Sequence, residues 1–437
     1  MDSVDTIIEA RWMIPVEPAG VTLENHAVAI KDGRIAALGP SAEICNRYRA
    51  AQRFSLDRHV LIPGLVNLHT HAAMTLMRGI ADDRALMDWL RNYIWPVETR
   101  MVSPAFVRDG TLLACAEMLK AGVTCFSDMY FFPQAAAEAA VEAGIRAAIG
   151  MIVIEMPSPY AGDARDYLAK GLAMRDAMRD EPLLSFCLAP HAPYTVSNDT
   201  LERVATYSAE LDVPVHIHLH ETTDEINESI TAHRVRPLER LQTVGLLGPS
   251  LIAVHAVHLE PGEIDQLARY GCHVAHCPSS NLKLASGIAP VARMLAAGVN
   301  VGLGTDGAAS NNRLDLLGEM RTAALLGKGA SGDPTVVPAH TALHMATLAG
   351  AKALGLEQRI GTLEPGKLAD VTAVRMSGIE LAPAYDPASH LVYAAGREHV
   401  THVWVNGELR VQDGVVRSVD AHALELKAAH WHDRIRA

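Results

Sequence analysis

The sequence predicts an α/β fold: a (β/α)8 TIM-like barrel with a smaller β-sandwich domain built from both chain termini. Three features predict it. Eight apolar segments of strand length alternate with helical segments rich in Ala, Leu, Glu and Arg. These segments are almost continuously apolar, as is typical of parallel strands buried on both faces. Short strands separated by Gly, Pro and Asp-Gly turns occupy both ends of the chain. We expect the β-domain in residues 1–60 and 366–437, the latter with a terminal helix, and the barrel in 61–365.

The two ends of the chain both contain short apolar segments separated by turn residues. The first contains TIIEARWMI, HAVAIKDGRIAALG and HVLIP, and the last contains DVTAVRM and HVTHVWVNGELRVQDGVV. In the second region Asn406-Gly407 and Asp413-Gly414 are typical of two-residue hairpin turns. We therefore expect the two regions to pair into one β-domain, with the rest of the chain inserted between them.

The barrel strands follow in order along the middle of the chain. The eight candidates are GLVNLHTH, GVTCFSDM, IRAAIGMIVI, LLSFCLAPHAP, VPVHIHLHE, LIAVHAVHL, CHVAHCPSS and NVGLGTDG. Segments such as FVRDGTLLACAEMLKAG and LERVATYSAELD, which lie between them, have helical character. In such barrels the chemistry lies at the carboxyl ends of the strands.

Composition excludes several classes of function. The chain has 437 residues and a net charge of −12, which argues against nucleic acid or an anionic membrane surface as partner. No apolar run reaches the roughly 18 residues of a membrane span. The six cysteines form no CxxC pair, and the N-terminus lacks a basic-then-apolar signal pattern. We expect a cytoplasmic protein that acts on a small molecule.

Histidines concentrate at the predicted strand ends. Ten of the 21 histidines lie there, including the pair His69 and His71, which share one strand face because side chains alternate with period two. Imidazole nitrogens with a carboxylate are usual ligands of zinc-like cations. His69, His71, His218 and Asp306 supply such a set from three strand ends. Taken singly, each histidine could instead be a hydrogen-bonded residue of the barrel mouth.

These motifs resemble the amidohydrolase superfamily over nearly the whole chain. The matching pieces are PGLVNLHTH, HIHLHET, VHAVH, AHCPSSN, LGTDG and the later EPGKLADV with VWVNGELRVQDG. Within the superfamily the chain is most similar to the 5-methylthioadenosine/S-adenosylhomocysteine deaminases, since LMRGIADDRALMDWLRNYIWPVE resembles their substrate loop. The resemblance implies one divalent metal ion per subunit, zinc above all, held by His69, His71, His218 and Asp306. The strand LLSFCLAPHAP has no lysine to bridge a second metal.

The resemblance also implies the other roles at the site. Glu221 is the expected proton shuttle, His255 the partner of the attacking or leaving oxygen, and Asp306 an acceptor of the water proton. Substrate contacts are expected from Trp89, Glu98, His191, Glu221 and His276. Trp89 could cover a base and Glu98 could bind ribose hydroxyls, although a core tryptophan and a surface helix carboxylate are the ordinary alternatives.

One position conflicts with simple alternation. Glu221 lies three residues after His218, so strict parity puts it on the opposite face and favours His220 as the neighbour of His218. The resemblance favours Glu221, and His220 is then a packing residue.

The expected activity is hydrolytic deamination of 5′-thio-substituted adenosines by a homo-oligomer. Another amidohydrolase reaction is the first alternative, either guanine or aminopurine deamination or s-triazine hydrolysis. The second alternative is a catalytically inactive scaffold that has kept the fold.

Overall fold

The computed structural model describes residues 2–436, which form two eight-stranded sheets. The strands are, in chain order, β1 (Asp2–Met13), β2 (Leu23–Lys31), β3 (Arg34–Pro40), β4 (Tyr48–Pro63), β5 (Leu65–Thr70), β6 (Val123–Tyr130), β7 (Arg146–Val153), β8 (Leu184–Pro190), β9 (Val215–Leu219), β10 (Leu251–His255), β11 (His273–His276), β12 (Asn300–Leu303), β13 (Val371–Arg375), β14 (Val400–Val405), β15 (Glu408–Gln412) and β16 (Val415–Val416).

The second sheet is the predicted barrel. Strands β5 to β12 lie side by side in chain order, and each pairs in parallel with the next. The last strand returns to the first, where the amide of Asp306 donates to the carbonyl of His69 at 3.0 Å. All eight predicted strands are confirmed, and their carboxyl ends meet at one mouth.

Helices alternate with the barrel strands. In chain order the α-helices are α1 (Ser41–Arg47), α2 (Leu86–Trp89), α3 (Trp95–Met101), α4 (Pro104–Lys120), α5 (Pro133–Ala143), α6 (Ala164–Met178), α7 (Asn198–Leu211), α8 (Thr223–His233), α9 (Pro237–Thr243), α10 (Pro261–Tyr270), α11 (Pro278–Lys283), α12 (Val291–Ala296), α13 (Ala308–Asn311), α14 (Leu316–Ser331), α15 (Ala339–Met345), α16 (Leu348–Ala353), α17 (Pro387–Tyr393) and α18 (Ala421–Arg436).

Several of these helices begin at a side chain that satisfies a free backbone amide. Ser103, Asp163, Ser197 and Thr222 accept from the first turns of α4, α6, α7 and α8. None of the described helices combines the length and the hydropathy that a membrane span requires.

The first sheet unites the two ends of the chain. Its order is β16-β15-β14-β13-β4-β1-β2-β3, so the pairing of β4 with β13 joins the N-terminal to the C-terminal strands. Both predicted hairpin turns are present: Asn406-Gly407 links β14 to β15, and Asp413-Gly414 links β15 to β16. Each of these four residues has positive φ, as turns of this kind require. The mixed sheet packs an apolar cluster of its own that includes Ile8, Met13 and Trp404.

A buried ion pair links this sheet to the barrel. Arg146, the first residue of β7, binds both carboxylate oxygens of Asp370 at 3.1 Å, just before β13. The division into domains at residues 60 and 365 stays our proposal. The strand bounds favour a first boundary nearer Gly64, since β4 runs to Pro63 and β5 begins at Leu65.

The segment between β5 and α4 covers one side of the barrel mouth. It contains a 3-10 turn over Ala72–Met77, then α2, a π-helical turn over Leu90–Ile94, and α3. Such π turns occur frequently at functional sites. The segment, which we call the cover segment, carries Trp89 and Glu98.

Candidate metal centre

The predicted metal ligands meet at the barrel mouth. His69 lies on β5 with His71 just after it, His218 lies on β9 across the barrel, and Asp306 follows β12. Nε2 of His69 lies 3.4 Å from Oδ1 of Asp306 and 3.3 Å from Nε2 of His218. Nε2 of His71 lies 3.4 Å from the same aspartate oxygen.

These separations fit a single tetrahedral ion. Four ligand atoms that lie about 2.1 Å from one centre are about 3.4 Å apart, which is the spacing found here. His69, His71 and Asp306 form one compact set of donor atoms, and His69, His218 and His255 form an overlapping one. The donor set of three imidazoles and a carboxylate is one that zinc accepts.

Hydrogen bonds to the far nitrogens fix which nitrogen of each ring faces the centre. Nδ1 of His71 donates to the carbonyl of Met129 at 2.6 Å, and Nδ1 of His218 donates to the carbonyl of His191 at 2.7 Å. Nδ1 of His69 lies 3.0 Å from Nε2 of His216. In His71 and His218, whose partners are carbonyl oxygens, Nε2 therefore keeps its lone pair for a ligand, and such partners usually raise the basicity of a metal-binding histidine.

Burial favours the neutral, metal-binding form of His69 and His218. It lowers the pKa of His69 to about 4 and lowers that of His218 well below its usual value, where neighbouring imidazoles add to the effect. For Asp306 burial alone would raise the pKa, but the surrounding imidazoles hold it well below the usual range. Neutral imidazoles around an ionised carboxylate are the protonation states that a cation needs.

The backbone at the end of β12 is shaped to present Asp306. Its φ is +63°, its Oδ2 accepts from the hydroxyl of Ser280 at 2.6 Å, and its Oδ1 accepts from the amide of Gly307 at 2.6 Å. A Cβ at Gly304 would lie 2.8 Å from the Cβ of His69, so only glycine allows this close approach. His255 also has a left-handed φ, of +70°. Strained residues of this kind cluster at functional sites.

The structure explains why Glu221 faces the cavity although it lies three residues after His218. His220 has a φ of +55°, which ends the alternation of β9 and turns Glu221 into the cavity. Both carboxylate oxygens of Glu225 hold this turn by accepting the amides of His220 and Glu221 at 2.9 and 2.8 Å. The ring of His220 is buried and accepts from the amide of Leu238 at 3.1 Å, so it packs against the protein.

Glu221 lies beside the ligand set but belongs to neither of the two compact groups of donor atoms. Its Oε2 is 3.8 Å from Nε2 of His255, and its Oε1 is 3.5 Å from the hydroxyl of Ser286. Burial raises its pKa. His255 donates Nδ1–H to Oδ1 of Asn281 at 2.9 Å, which leaves its Nε2 facing Glu221 and the ligands. A buried carboxyl group with a raised pKa thus lies next to the place for an ion.

A cavity of about 290 Å³ opens above this centre. Its lining includes His71, His218, His255, Glu221 and Asp306 at the base. Trp89 and Glu98 of the cover segment and His191, after β8, form further parts of the wall. The volume is near the lower end of the 300–1,000 Å³ or so that small-molecule sites occupy.

The predicted substrate residues differ in their surroundings. Oε1 of half-buried Glu98 accepts from the hydroxyl of Tyr130 at 2.7 Å, and burial raises the pKa of Glu98 to about 7. Burial lowers the pKa of His191 to about 3, and its Nδ1 lies 3.0 Å from the hydroxyl of Thr195. Nε1 of buried Trp89 has no partner within the described chain.

His276 lies apart from the other predicted substrate contacts. It ends β11, its ring is buried, and it is absent from the part of the cavity wall that residues 2–436 form. Sequence reasoning missed other participants, namely Tyr130, Asn281, Ser280 and Met156. Asn281 and Ser280 belong to the AHCPSSN motif, and Tyr130 directly follows the predicted second strand. Their positions at strand ends could therefore have predicted them as residues of the site.

Comparison with known proteins agrees with this geometry. Residues 60–410 match the amidohydrolase family, and the match spans the whole barrel and part of the terminal sheet. The chain belongs to the amidohydrolase family. Its membership makes it a metal-dependent hydrolase of C–N bonds. The resemblance read from the motifs is therefore confirmed.

Relatives of this amidohydrolase share its full length. A protein of Saccharophagus degradans named 5-methylthioadenosine/S-adenosylhomocysteine deaminase is 46% identical over 99% of this chain and 97% of its own. The crystal structure of an adenosine deaminase from Xanthomonas campestris with bound zinc superposes with a TM-score of 0.98 at 46% identity, covering 100% of this chain and 99% of that one. The structure of an atrazine chlorohydrolase mutant from Arthrobacter aurescens, at 24% identity, covers 98% of this chain and 100% of that one with a TM-score of 0.91, and shows the common fold alone.

Proposed function

We propose that this amidohydrolase deaminates 5′-thio-substituted adenosines, such as 5-methylthioadenosine and S-adenosylhomocysteine, and adenosine itself. Water replaces the 6-amino group, and the products are the inosine analogue and ammonia. One observation carries the proposal. A single cavity brings together His71, His218 and Asp306 of the ligand set, the buried carboxyl of Glu221, whose pKa burial raises, and a second carboxyl, Glu98, on the cover segment. The names of the full-length relatives support the same substrates.

Attack on the purine carbon requires a water molecule whose pKa is lowered and whose oxygen is oriented towards that carbon. His69, His71, His218 and Asp306 would hold a divalent cation, zinc in our proposal, which when bound would lower the pKa of a water molecule from about 15.7 towards about 7. The carboxylate of Asp306 lines the same cavity and would accept the proton released by the water. Nε2 of His255 faces the same space and orients the attacking oxygen.

The adenine ring must gain a proton while its amino group leaves. Glu221 lies beside the ligand set and is our candidate to give a proton to the ring nitrogen next to the attacked carbon, a role that a pKa raised by burial favours. The attacked carbon then has four substituents, and its bond to the amino nitrogen breaks. The proton that Asp306 took from the water passes to that nitrogen, which leaves as ammonia. The hydroxyl proton returns to Glu221 as the ring carbonyl forms.

Recognition of the nucleoside falls to the rest of the cavity. Trp89 presents an apolar ring that can cover the base. Glu98 can accept hydrogen bonds from the two ribose hydroxyls, and the hydroxyl of Tyr130 holds the carboxylate in place by donating to its Oε1. A bare purine or a triazine offers no such diol, so Glu98 favours a nucleoside over guanine or an s-triazine. His191 is the remaining polar contact that we propose for the substrate. His276 was also expected to contact the substrate, but it is absent from the cavity wall that residues 2–436 form, and we propose no substrate contact for it.

Ammonia release from a panel of compounds tests the proposal. Zinc-loaded enzyme is expected to deaminate methylthioadenosine and adenosine faster than guanine, cytosine or an s-triazine. Turnover of guanine or a triazine above all nucleosides would refute the nucleoside assignment. No turnover, together with no bound zinc, would indicate the inactive scaffold.

We propose further that the enzyme works in the cytoplasm as a homo-oligomer, without nucleic acid or membrane partners. All six cysteines are free thiols, five of them buried, which suits a reducing compartment. The net charge of −12 disfavours polyanionic partners.

A further inference from the structure

A further buried histidine lies directly behind the metal ligand His69. His216 is on β9, two residues before His218 and on the same strand face, and so one layer deeper in the barrel. Its Nε2 lies 3.0 Å from Nδ1 of His69, while Nε2 of His69 faces Asp306. Both rings are fully buried. None of the proposed catalytic steps uses His216.

The second nitrogen of His216 meets a hydroxyl. Its Nδ1 lies 3.2 Å from Oγ of Ser127, a buried residue of β6. Within residues 2–436 the hydrogen-bond partners of this ring are therefore an imidazole and a hydroxyl, and a buried charge without a carboxylate partner is unfavourable. A neutral imidazole carries a single proton, so one nitrogen of His216 donates and the other accepts.

The ligand role of His69 decides which nitrogen of His216 holds that proton. A ligand atom needs its lone pair, so the proton of a neutral His69 that binds through Nε2 is on Nδ1. Nδ1–H of His69 then donates to Nε2 of His216, and Nδ1–H of His216 donates to Ser127. The hydroxyl of Ser127 can accept, because a serine oxygen has two lone pairs and its hydrogen rotates. The three side chains form a chain of hydrogen bonds that runs from the ligand into the barrel core.

His69 differs in this respect from the other two imidazole ligands. Nδ1 of His71 and Nδ1 of His218 face backbone carbonyls, which can only accept. Nδ1 of His69 has His216 as its acceptor within the described chain. An imidazole nitrogen accepts only while it carries no proton, so the orientation of His69 depends on where the proton of the neighbouring ring lies.

We propose, on the basis of the ligand set assigned above, that His216 is a positioning residue of the metal centre. It accepts the hydrogen bond from Nδ1 of His69 and so fixes the ring orientation and the tautomer in which Nε2 faces the ion. Ser127 completes the chain by accepting from Nδ1 of His216. An outer partner of this kind contributes about 10- to 100-fold to metal affinity.

The zinc dissociation constant of purified protein, measured by competition with a chromophoric chelator, tests the role of His216. His216→Leu has a side chain of similar volume but no acceptor, which leaves a buried N–H of His69 unpaired. We expect its Kd for zinc to rise by about tenfold or more. His216→Gln keeps an oxygen that can accept from His69, and its Kd should stay within about threefold of wild type.

His273→Leu is the matched control. His273 is a buried histidine at the other end of the barrel, where it contacts the carbonyl of Pro249 and the side chain of Asn300. Its loss should leave the zinc Kd within about threefold of wild type. An equal rise in His273→Leu and His216→Leu would overturn the inference, because general damage to the barrel would then explain both. A Kd within threefold of wild type in folded His216→Leu would overturn it too, as would a Kd as weak in His216→Gln as in His216→Leu.

Nitrogen NMR of zinc-loaded enzyme with 15N-labelled histidine tests the chain without a large core substitution. The signals of His216 are identified by their absence from His216→Gln and by their shift in Ser127→Ala. We expect the proton of His216 on Nδ1, and a proton on Nε2 would overturn the inference. Zinc retention does not depend on which nucleoside is the substrate. Wild-type protein without stoichiometric zinc would refute the ligand set and the role of His216 together, whereas failure to deaminate nucleosides would refute the proposed function alone.

Discussion

Replacement of Glu221 by glutamine removes one proton donor and little else. The carboxyl makes only long contacts, 3.5 Å to Ser286 and 3.8 Å to His255, and it is not among the compact groups of metal ligands. We expect zinc stoichiometry to stay the same. We also expect the free energy of unfolding to stay within about 1 kcal/mol of wild type. Because burial raises the pKa of Glu221, ionising it costs stability at high pH, and glutamine escapes that cost.

The catalytic loss should be large by comparison. General acid–base groups contribute about 10²- to 10⁴-fold, which corresponds to about 3 to 5 kcal/mol of barrier. We therefore expect kcat for methylthioadenosine to fall by at least about 100-fold in Glu221→Gln. Ammonia release at saturating substrate, with zinc measured in the same sample, provides the assay. Ser286→Ala is the control, since it removes one weak contact to Glu221 and should cost less than about tenfold. A kcat within threefold of wild type in Glu221→Gln would refute the role of proton donor.

Four further changes probe other parts of the account. His218→Ala should lose both bound zinc and turnover, and normal zinc content with full activity would defeat the ligand assignment. Glu98→Ala should reduce kcat/KM for nucleosides by about tenfold or more beyond its effect on free adenine, and equal losses would argue against ribose binding. Burial raises the pKa of Glu98 to about 7, so its ionisation costs stability as pH rises from about 4.5 through 7. Glu98→Gln should accordingly have a higher Tm than wild type near pH 8, an advantage that shrinks towards pH 5; the same Tm difference at both pH values would contradict this. Arg146→Ala leaves buried Asp370 unpaired and should lower the free energy of unfolding by about 3 to 5 kcal/mol in denaturant titrations, whereas a change below 1 kcal/mol would show that the link is weak.

The barrel could be predicted because its strands carry two strong signals. Their apolar runs distinguish buried parallel strands from the alternating strands of the terminal sheet. The pairs His69/His71 and His216/His218 reveal strand ends, since polar side chains are expensive within such runs unless they have partners. The two hairpins at Asn406-Gly407 and Asp413-Gly414 could also be predicted from the sequence, because positive φ at both turn positions favours Asn, Asp and Gly.

The finer geometry of the site could not be predicted from alternation. Glu221 faces the cavity only because His220 adopts a left-handed φ, which no pattern of apolar residues encodes. His276 shares its strand-end position with His255 but lies outside the described cavity wall. The hydroxyl of Tyr130 reaches Glu98 from a separate element, and such a meeting depends on how the cover segment lies across the mouth.

The central claim is that four side chains hold one ion. The most direct measurement is a crystal structure of zinc-loaded protein with anomalous data collected at the zinc edge. The account predicts one peak about 2.0 to 2.2 Å from Nε2 of His69, His71 and His218 and from a carboxylate oxygen of Asp306. A peak bound elsewhere, or no peak in protein that deaminates methylthioadenosine, would contradict it.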